Sequence, residues 1–527
     1  MREHRWTIAV LFLAVVAFTL AFTWLAHARY RAFFSYDPRD EAVNNQMLYN
    51  TATGHLLRSS IKGDIIFHMH FRPIFLPLAI PYFFHRGPTA YYFAAALILA
   101  LGALAAFGLG KELFGDRRLA LLAGLAWLCF APVHELALGN FDPETLVATL
   151  WLAALLFFRR RLARPFWLFA ILAVTAKETQ APVLAAFGVL ALFERRKWTW
   201  SVLPILIGSV WFIVSLKLII PLFHPTFDTI YGRFAGVHTT NFWGDFLASW
   251  RTDPRQMLEL IFSREHLSLL GMVLAATGGL AVLSPLTLIP AGPILLEIML
   301  LADPLPVRQA HVLAAVAPFV FAAGLIGLAR LGRWLGGKKN IATAALLVAW
   351  LVLLLAVLPW RAGPFGKGRT YGSPDSPLPD TLFDARWYGA DAAAKRAWAM
   401  IARINPDAPV MTNERYLLAL SSRHELYEYG NQGPSLEAYD NVDWILLGLT
   451  EPWCPTCTYA RLLPSSLDAA LRLIRENRFV VEDVADTVIL LRRATLTGPA
   501  PTPRQTERAL ALLEALKAKK EKEAAGL

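Results

Sequence analysis

DPRDEAVNNQMLYNTATGHLLRSSIKGDIIFHMHFRP, residues 37 to 73, is a polar stretch rich in carboxylates and histidines, set between long apolar runs. Asp37 followed by Pro38 reads as a helix N-cap with proline at the first helical position, and Asp40 completes an arrangement like a capping box. The helix continues until Gly54 stops it, with Val43, Met47 and Leu48 toward lipid or protein and Asp40, Glu41, Asn44 and Asn45 on the opposite face. The spacing predicts a surface-lying amphipathic helix. A cap needs one carboxylate, and here three fall within five residues, so the segment has polar groups beyond what capping explains.

What flanks this stretch sets the class. Of 527 residues, 56% are hydrophobic and 17% charged, and the mean hydropathy is +0.43, values of a polytopic membrane protein rather than a soluble enzyme. Apolar runs long enough to cross occur near 7–28, 88–110, 118–138, 143–158, 165–177, 180–193, 200–222, 266–283, 286–302, 311–330 and 341–360. That is about eleven spans, two of them short and paired as a hairpin. The first run, Trp6 to Ala26, is longer than a secretory h-region and reads as an uncleaved signal anchor.

The formal net charge of +11 falls mostly in short basic clusters between apolar runs, and no nucleic-acid motif accompanies it. Arg2 and Arg5, Lys111 with Arg117 and Arg118, Arg159 to Arg164, Arg195 to Lys197, and Arg333 with Lys338 and Lys339 all fall on the N-terminal side of the membrane in this topology. By the positive-inside rule that side is cytoplasmic. The first outer loop is then 29–87, inside a membrane domain of 1–360.

After residue 360 the chain changes character. A Gly-, Pro- and Asp-rich linker, 361–384, leads to an extracytoplasmic α/β domain, 385–498. There Ala392–Ile404, Arg415–Leu420 and Leu467–Glu476 read as helices, and Pro409–Thr412, Val442–Leu447 and Phe479–Arg492 as strands. A Pro-rich joint and a basic, helix-prone tail, expected to be mobile, complete the chain at 499–527. No internal repeat is visible.

The chemistry-bearing residues gather at the outer ends of the spans. His70 and Arg72 close the first loop, Asp142 and Glu144 make a turn, Lys177 and Glu178 form a hairpin tip, and Arg308, Gln309 and His311 open the tenth span. Charges near a bilayer are retained where they meet each other or a polar ligand. Each has a plainer reading: Asp142 as an N-cap before Pro143, Lys177 and Glu178 as a mutual pair, His70 and His311 as interfacial histidines bonded to backbone. A divalent metal on Asp37, Asp40, Glu41 or His70 is possible, but no tight ligand spacing requires one. Of three cysteines, Cys129 is in a span, and Cys454 and Cys457 form a C-x-x-C read as a local disulfide in an oxidising compartment ahead of a redox site.

This order of features resembles a family of prokaryotic polytopic membrane proteins in the GT-C superfamily of glycosyltransferases, which take sugars from polyprenyl-phosphate carriers. The resemblance runs from Asp40 to about Arg493. It passes through Asp40 with Gln46 and Asn50, His70-Phe71-x-Pro73, Phe141-x-Pro143-Glu144, Lys177-Glu178, Gln309-x-His311, Asp407-Ala408-Pro409-Val410 and Ser422-Arg423. Asp142 stands where the family pattern usually has histidine, and Thr179 where an acidic residue is common.

The resemblance implies a mainly α, GT-C-like membrane domain in the plasma (inner) membrane, with a cytoplasmic N-terminus. Its partners are the bilayer, a polyprenyl-phosphate-linked sugar donor and a glycan, lipid or protein acceptor; nucleic acid is not among them. Asp40 is then the expected general base. Arg72, Lys177, His70 and His311 are expected to hold the departing phosphate, and Glu41, Gln46, Asp142, Glu144, Glu178, Arg308 and Gln309 to orient these groups or contact substrate. Two other classes remain open: a transporter or lipid flippase, which would favour repeated halves and mid-membrane polar groups, and a non-catalytic envelope assembly factor.

Overall fold

The computed structural model describes residues 2–35, 37–61, 63–65, 70–139, 142–223, 242–300, 313–336, 340–357, 387–430, 436–449 and 462–524. Each of the eleven apolar runs contains helix in its described part. The chain opens with α1 (Arg2–Arg31), α2 (Pro38–Ala52), the two-residue strands β1 (Arg58–Ser59) and β2 (Asp64–Ile65), and the short α3 (Phe75–Leu78). A hairpin of long helices follows, α4 (Pro88–Phe114) and α5 (Arg117–Leu128), then α6 (Ala131–Leu138), α7 (Val147–Arg159), α8 (Ala163–Val174), α9 (Ala181–Phe193) and α10 (Trp198–Val214), which a π turn (Ser215–Ile219) joins to α11 (Ile220–Phe223). Next come α12 (Phe242–Thr252), α13 (Pro254–Ile261), α14 (Arg264–Ala275), α15 (Gly292–Met299), α16 (Ala317–Gly336) and α17 (Asn340–Val357).

Local chemistry explains the turns. Gly115, at φ +68°, ends α4 in the left-handed conformation, and Asp116 immediately caps α5 by accepting from the N–H groups of Arg118 and Leu119. Helices α9 and α10 cross so closely that a Cβ on Gly188 would lie 2.3 Å from the Ser201 carbonyl oxygen and one on Gly208 2.5 Å from that of Ala181. Such small-residue contacts let membrane helices pack without a hydrophobic driving force between them.

Among the described residues, four helices are long and apolar enough to cross a bilayer unaided, and a fifth span forms if α5 and α6, bent by 43° at Cys129–Phe130, are taken together. The other expected spans are shorter. The 12 residues of α8, for instance, reach about 18 Å against a hydrocarbon core of about 30 Å. Some are continued by 3₁₀ turns at their ends, as Pro143–Leu146 runs on into α7.

The C-terminal part is a five-stranded sheet in the order β4-β3-β5-β7-β6, built from β3 (Val410–Thr412), β4 (Leu426–Glu428), β5 (Trp444–Gly448), β6 (Phe479–Ala485) and β7 (Val488–Arg493). Strand β3 pairs parallel with β4 and β5, and β7 antiparallel with β5 and β6. The helices α18 (Ala392–Ile401) and α19 (Glu414–Leu420) cover one face, while α20 (Pro464–Arg475) and α21 (Pro503–Ala524) cover the other. Strand β4 was not legible, its three residues being too few for a periodic signal.

Two expectations are corrected. The tail is not loose: Ala509 and Leu513 are fully buried in the sheet's core and Lys517 pairs with Asp468 at 2.8 Å. Nor does α2 lie on a surface. It is buried on both faces, with Asn45 and Gln46 at 0% exposure, because α19 of the α/β unit packs against it. The linker 361–384 and both Cys454 and Cys457 lie outside the described residues.

Candidate functional site

Two buried ion pairs and a histidine–carboxylate hydrogen bond draw the loop ends together. Arg72, in the segment after β2, meets Asp142 at 3.0 Å. Lys177, which precedes a 3₁₀ turn at the start of α9, meets Glu144 at 3.0 Å, and His70 Nδ1 donates to Glu178 at 2.7 Å. Glu178 also accepts from the Phe71 N–H at 3.0 Å, and a backbone bond from Ile74 to Thr175 ties the same two segments.

Capping holds the acidic partners in place. Asp142 accepts from the Glu144 N–H at 2.8 Å, which starts the turn Pro143–Leu146, so its N-cap role and its pairing with Arg72 coexist. The Tyr91 hydroxyl donates to the Asp142 carbonyl at 2.7 Å. Glu144 takes a second bond from Gln180 at 2.9 Å, and Gln180 is itself fixed by the Trp151 indole. Lys177 and Glu178 are therefore not each other's partners. Their side chains diverge at the turn and each crosses to another element.

The donor set is not saturated. Arg72 is 6% exposed, yet its Nε has no hydrogen-bond partner among the described residues. A buried unpaired guanidinium N–H carries a desolvation cost of roughly 1–3 kcal/mol. The carboxylates of Asp142, Glu144, Glu178 and Asp40 lie within electrostatic reach of Arg72.

Asp40 itself is exposed on the first turn of α2. Its N–H donates to the Asp37 cap at 3.1 Å. Burial, then the neighbouring charge of Asp40, hold the Asp37 carboxyl well above the usual carboxylate range. Glu41, buried beside Asp40, lines a narrow cleft with Arg29, Tyr91 and Tyr92.

Gln46 is placed differently from expectation. Its Nε2 donates to Ser60 and to the carbonyls of Arg423 and His424, and its Oε1 accepts from Ser59. With all of these made, the amide has no open donor for a substrate. Asn45 bridges α2 to Ser421 and Ser422 while accepting from Tyr82, and Asn50 accepts from His424.

Arg308, Gln309 and His311 lie outside the described residues. Gln180, Trp151 and Tyr91 were missed; Gln180 carried a signal, as a polar residue three positions after Lys177. Glu297 of α15 was missed too, although it is a lone acid in an apolar run, and it lies within electrostatic reach of Lys177, Glu144 and Glu178. Among the described residues no three His, Cys, Asp or Glu side chains are grouped to hold a metal, and the acids at the site face cations instead.

A family model described as "Predicted membrane protein (DUF2079)" matches residues 39–489. The chain belongs to this family. Members of DUF2079 are thus membrane proteins by description, and the apolar helices make this one multi-pass. Its fold is similar to that of ArnT from Cupriavidus metallidurans bound to undecaprenyl phosphate: TM-score 0.50 and 14% identity, covering 93% of this chain and 99% of that one. The apo form of the same ArnT gives TM-score 0.49 and 14% identity, over 95% and 100%. No curated protein matches the DUF2079 chain by sequence.

Proposed function

We infer that this protein is a membrane glycosyltransferase that takes a sugar from a polyprenyl-phosphate-linked donor and passes it to an envelope acceptor at the outer face of the plasma membrane. The observation that carries the reading is the buried, unpaired Nε of Arg72, held among carboxylates that include the exposed Asp40. The ArnT neighbour, which binds undecaprenyl phosphate, supports the lipid class.

In this reading Asp40 is the general base and accepts the proton of the acceptor hydroxyl as it attacks the anomeric carbon. The bond to the carrier phosphate breaks, and the leaving phosphate is met by Arg72 Nε and by Lys177, whose ammonium has three donors and one paired carboxylate. These cations are oriented beforehand by Asp142 and Glu144, so little reorganisation accompanies charge development. A single displacement inverts the anomeric centre. In the same reading Glu41, next to Asp40 in the chain, orients acceptor hydroxyls.

The test is complementation of a deletion strain with wild type and Asp40→Asn at matched membrane abundance, profiling envelope glycans and polyprenyl-linked sugars. The reading expects the deletion to lose a glycan and accumulate its lipid-linked donor, and Asp40→Asn to fail to restore it. A deletion that alters only the sidedness of a lipid, or a fully active Asp40→Asn, overturns it.

A further inference from the structure

The span Trp198–Phe223 is the most lipid-facing of the internal long helices, with 22% of its apolar window buried. Val210, Ile213, Val214, Leu218, Leu222 and Phe223 are all exposed along it. From Trp198 to Phe223 there is one charged residue, Lys217. It is exposed among these apolar side chains and makes no hydrogen bond or ion pair with the described residues. The helix changes to a π turn over the same residues, Ser215–Ile219, an interruption that in other helices recurs at functional positions.

The helix that carries Lys217 also reaches the site. Trp211, six residues earlier, has its ring 5.5 Å from that of Phe71, between His70 and Arg72. The same helix crosses α9 at Gly208, against Ala181, just after Glu178. Lys217 is thus about 9 Å beyond the Phe71 level along the axis, and a similar distance short of the helix end. A lysine at that height extends its stem through the apolar layer and presents its ammonium at headgroup depth. An ammonium there, on the lipid side of a phosphate-binding site, meets lipid phosphates.

We propose that Lys217 is the membrane-side contact for the phosphate of the polyprenyl carrier, receiving it laterally from the bilayer before it reaches Arg72 and Lys177. This rests on the carrier-lipid reading above. The shared chemistry is a lipid phosphate, which bulk phospholipids also offer, so the assay separates the two.

The full-length chain is reconstituted in phosphatidylcholine nanodiscs, and undecaprenyl phosphate binding is measured for wild type, Lys217→Gln and Lys217→Arg, each with and without phosphatidylglycerol. The expected result is about a tenfold weaker affinity for Lys217→Gln, retention within about twofold by Lys217→Arg, and no competition by phosphatidylglycerol. Wild-type affinity in Lys217→Gln, or equal competition by phosphatidylglycerol at matched surface density, overturns the proposal while leaving the site reading intact. Absence of wild-type binding removes the site reading together with it.

Discussion

Arg72 and Asp142 allow the most direct separation of support from function. At 3.0 Å and an effective dielectric of about 20, their attraction is about 5.5 kcal/mol before desolvation. Both side chains are under a tenth exposed, so either single neutralisation leaves a buried charge and should cost roughly 3–5 kcal/mol. Arg72→Met is the harsher, since the buried Asp142 then loses its guanidinium partner, whereas Asp142→Asn leaves Arg72 within reach of Glu144, Glu178 and Asp40. The double variant removes both charges and should recover most of the loss, a coupling of about 2–3 kcal/mol. Reversible unfolding in mixed micelles, followed by tryptophan fluorescence, measures the cycle. Undecaprenyl phosphate binding in nanodiscs measures function, and there the double variant should be stable yet at least about tenfold weaker. A coupling below about 0.5 kcal/mol, or full binding by the double variant, refutes the assignment of Arg72 as a ligand cation held by Asp142.

Asp40→Asn should lower turnover by about 10²–10⁴-fold with an unchanged melting temperature, because the residue is exposed; a parallel fall in stability would count against a catalytic role. Gln46→Ala should destabilise by roughly 2–3 kcal/mol, leaving the buried partners of its amide unpaired, and should increase protease cleavage between α2 and the α/β unit. Glu414, buried in α19 and facing Glu428, Arg39 and Asp40, has its carboxyl pushed up to about 7. The folded state therefore holds this proton where the unfolded chain has released it, and stability falls as pH rises from the usual carboxylate range through about 7. Glu414→Gln should flatten that part of the stability profile in chemical unfolding. Deleting 503–527 exposes the apolar face of α20 and removes Ala509 and Leu513 from the core, a loss on the order of 3 kcal/mol, read as earlier melting of the sheet.

The helices were legible because apolar runs and capping residues are local signals: Asp37 and Asp142 cap where their neighbours with Pro38 and Pro143 indicate. What escaped was set at long range. Asn44 and Asn45 read as part of a wet face, and Asn45 is buried because serines some 376 residues later supply its partners. Lys177 was read against its neighbour Glu178, whereas the 3₁₀ turn sends the two acids' and bases' pairings to Glu144 and His70. The tail's apolar stripe at Ala509, Leu513 and Leu516 was present in the sequence, but its Lys-rich end masked it, and only the apolar face of α20 that it covers shows why it docks.

These long-range contacts bear on how a loop can carry chemistry beside a membrane. An outer loop tethered only at its ends would place Asp40 by diffusion, and a base must be held within hydrogen-bond reach of its proton. Here α2 is gripped from both sides. Tyr82 donates to Asn45 at 2.6 Å on the membrane side, while on the other side Asn45, Gln46 and Asn50 engage residues 421–424, and Arg39, next to the base, pairs with Glu428 of β4 at 2.8 Å. Because Arg39 and Asp40 are consecutive on one helical turn, the Glu428 contact constrains the backbone that carries the base. In the proposed reading the α/β unit thereby acts as the rigid wall of the site. Loosening it through Glu428→Gln should lower turnover more than it lowers undecaprenyl phosphate affinity, since Arg72 and Lys177, the cations proposed to meet the carrier, are anchored to Asp142 and Glu144 instead. An equal fall in both would show that the wall supports the whole site rather than the base alone.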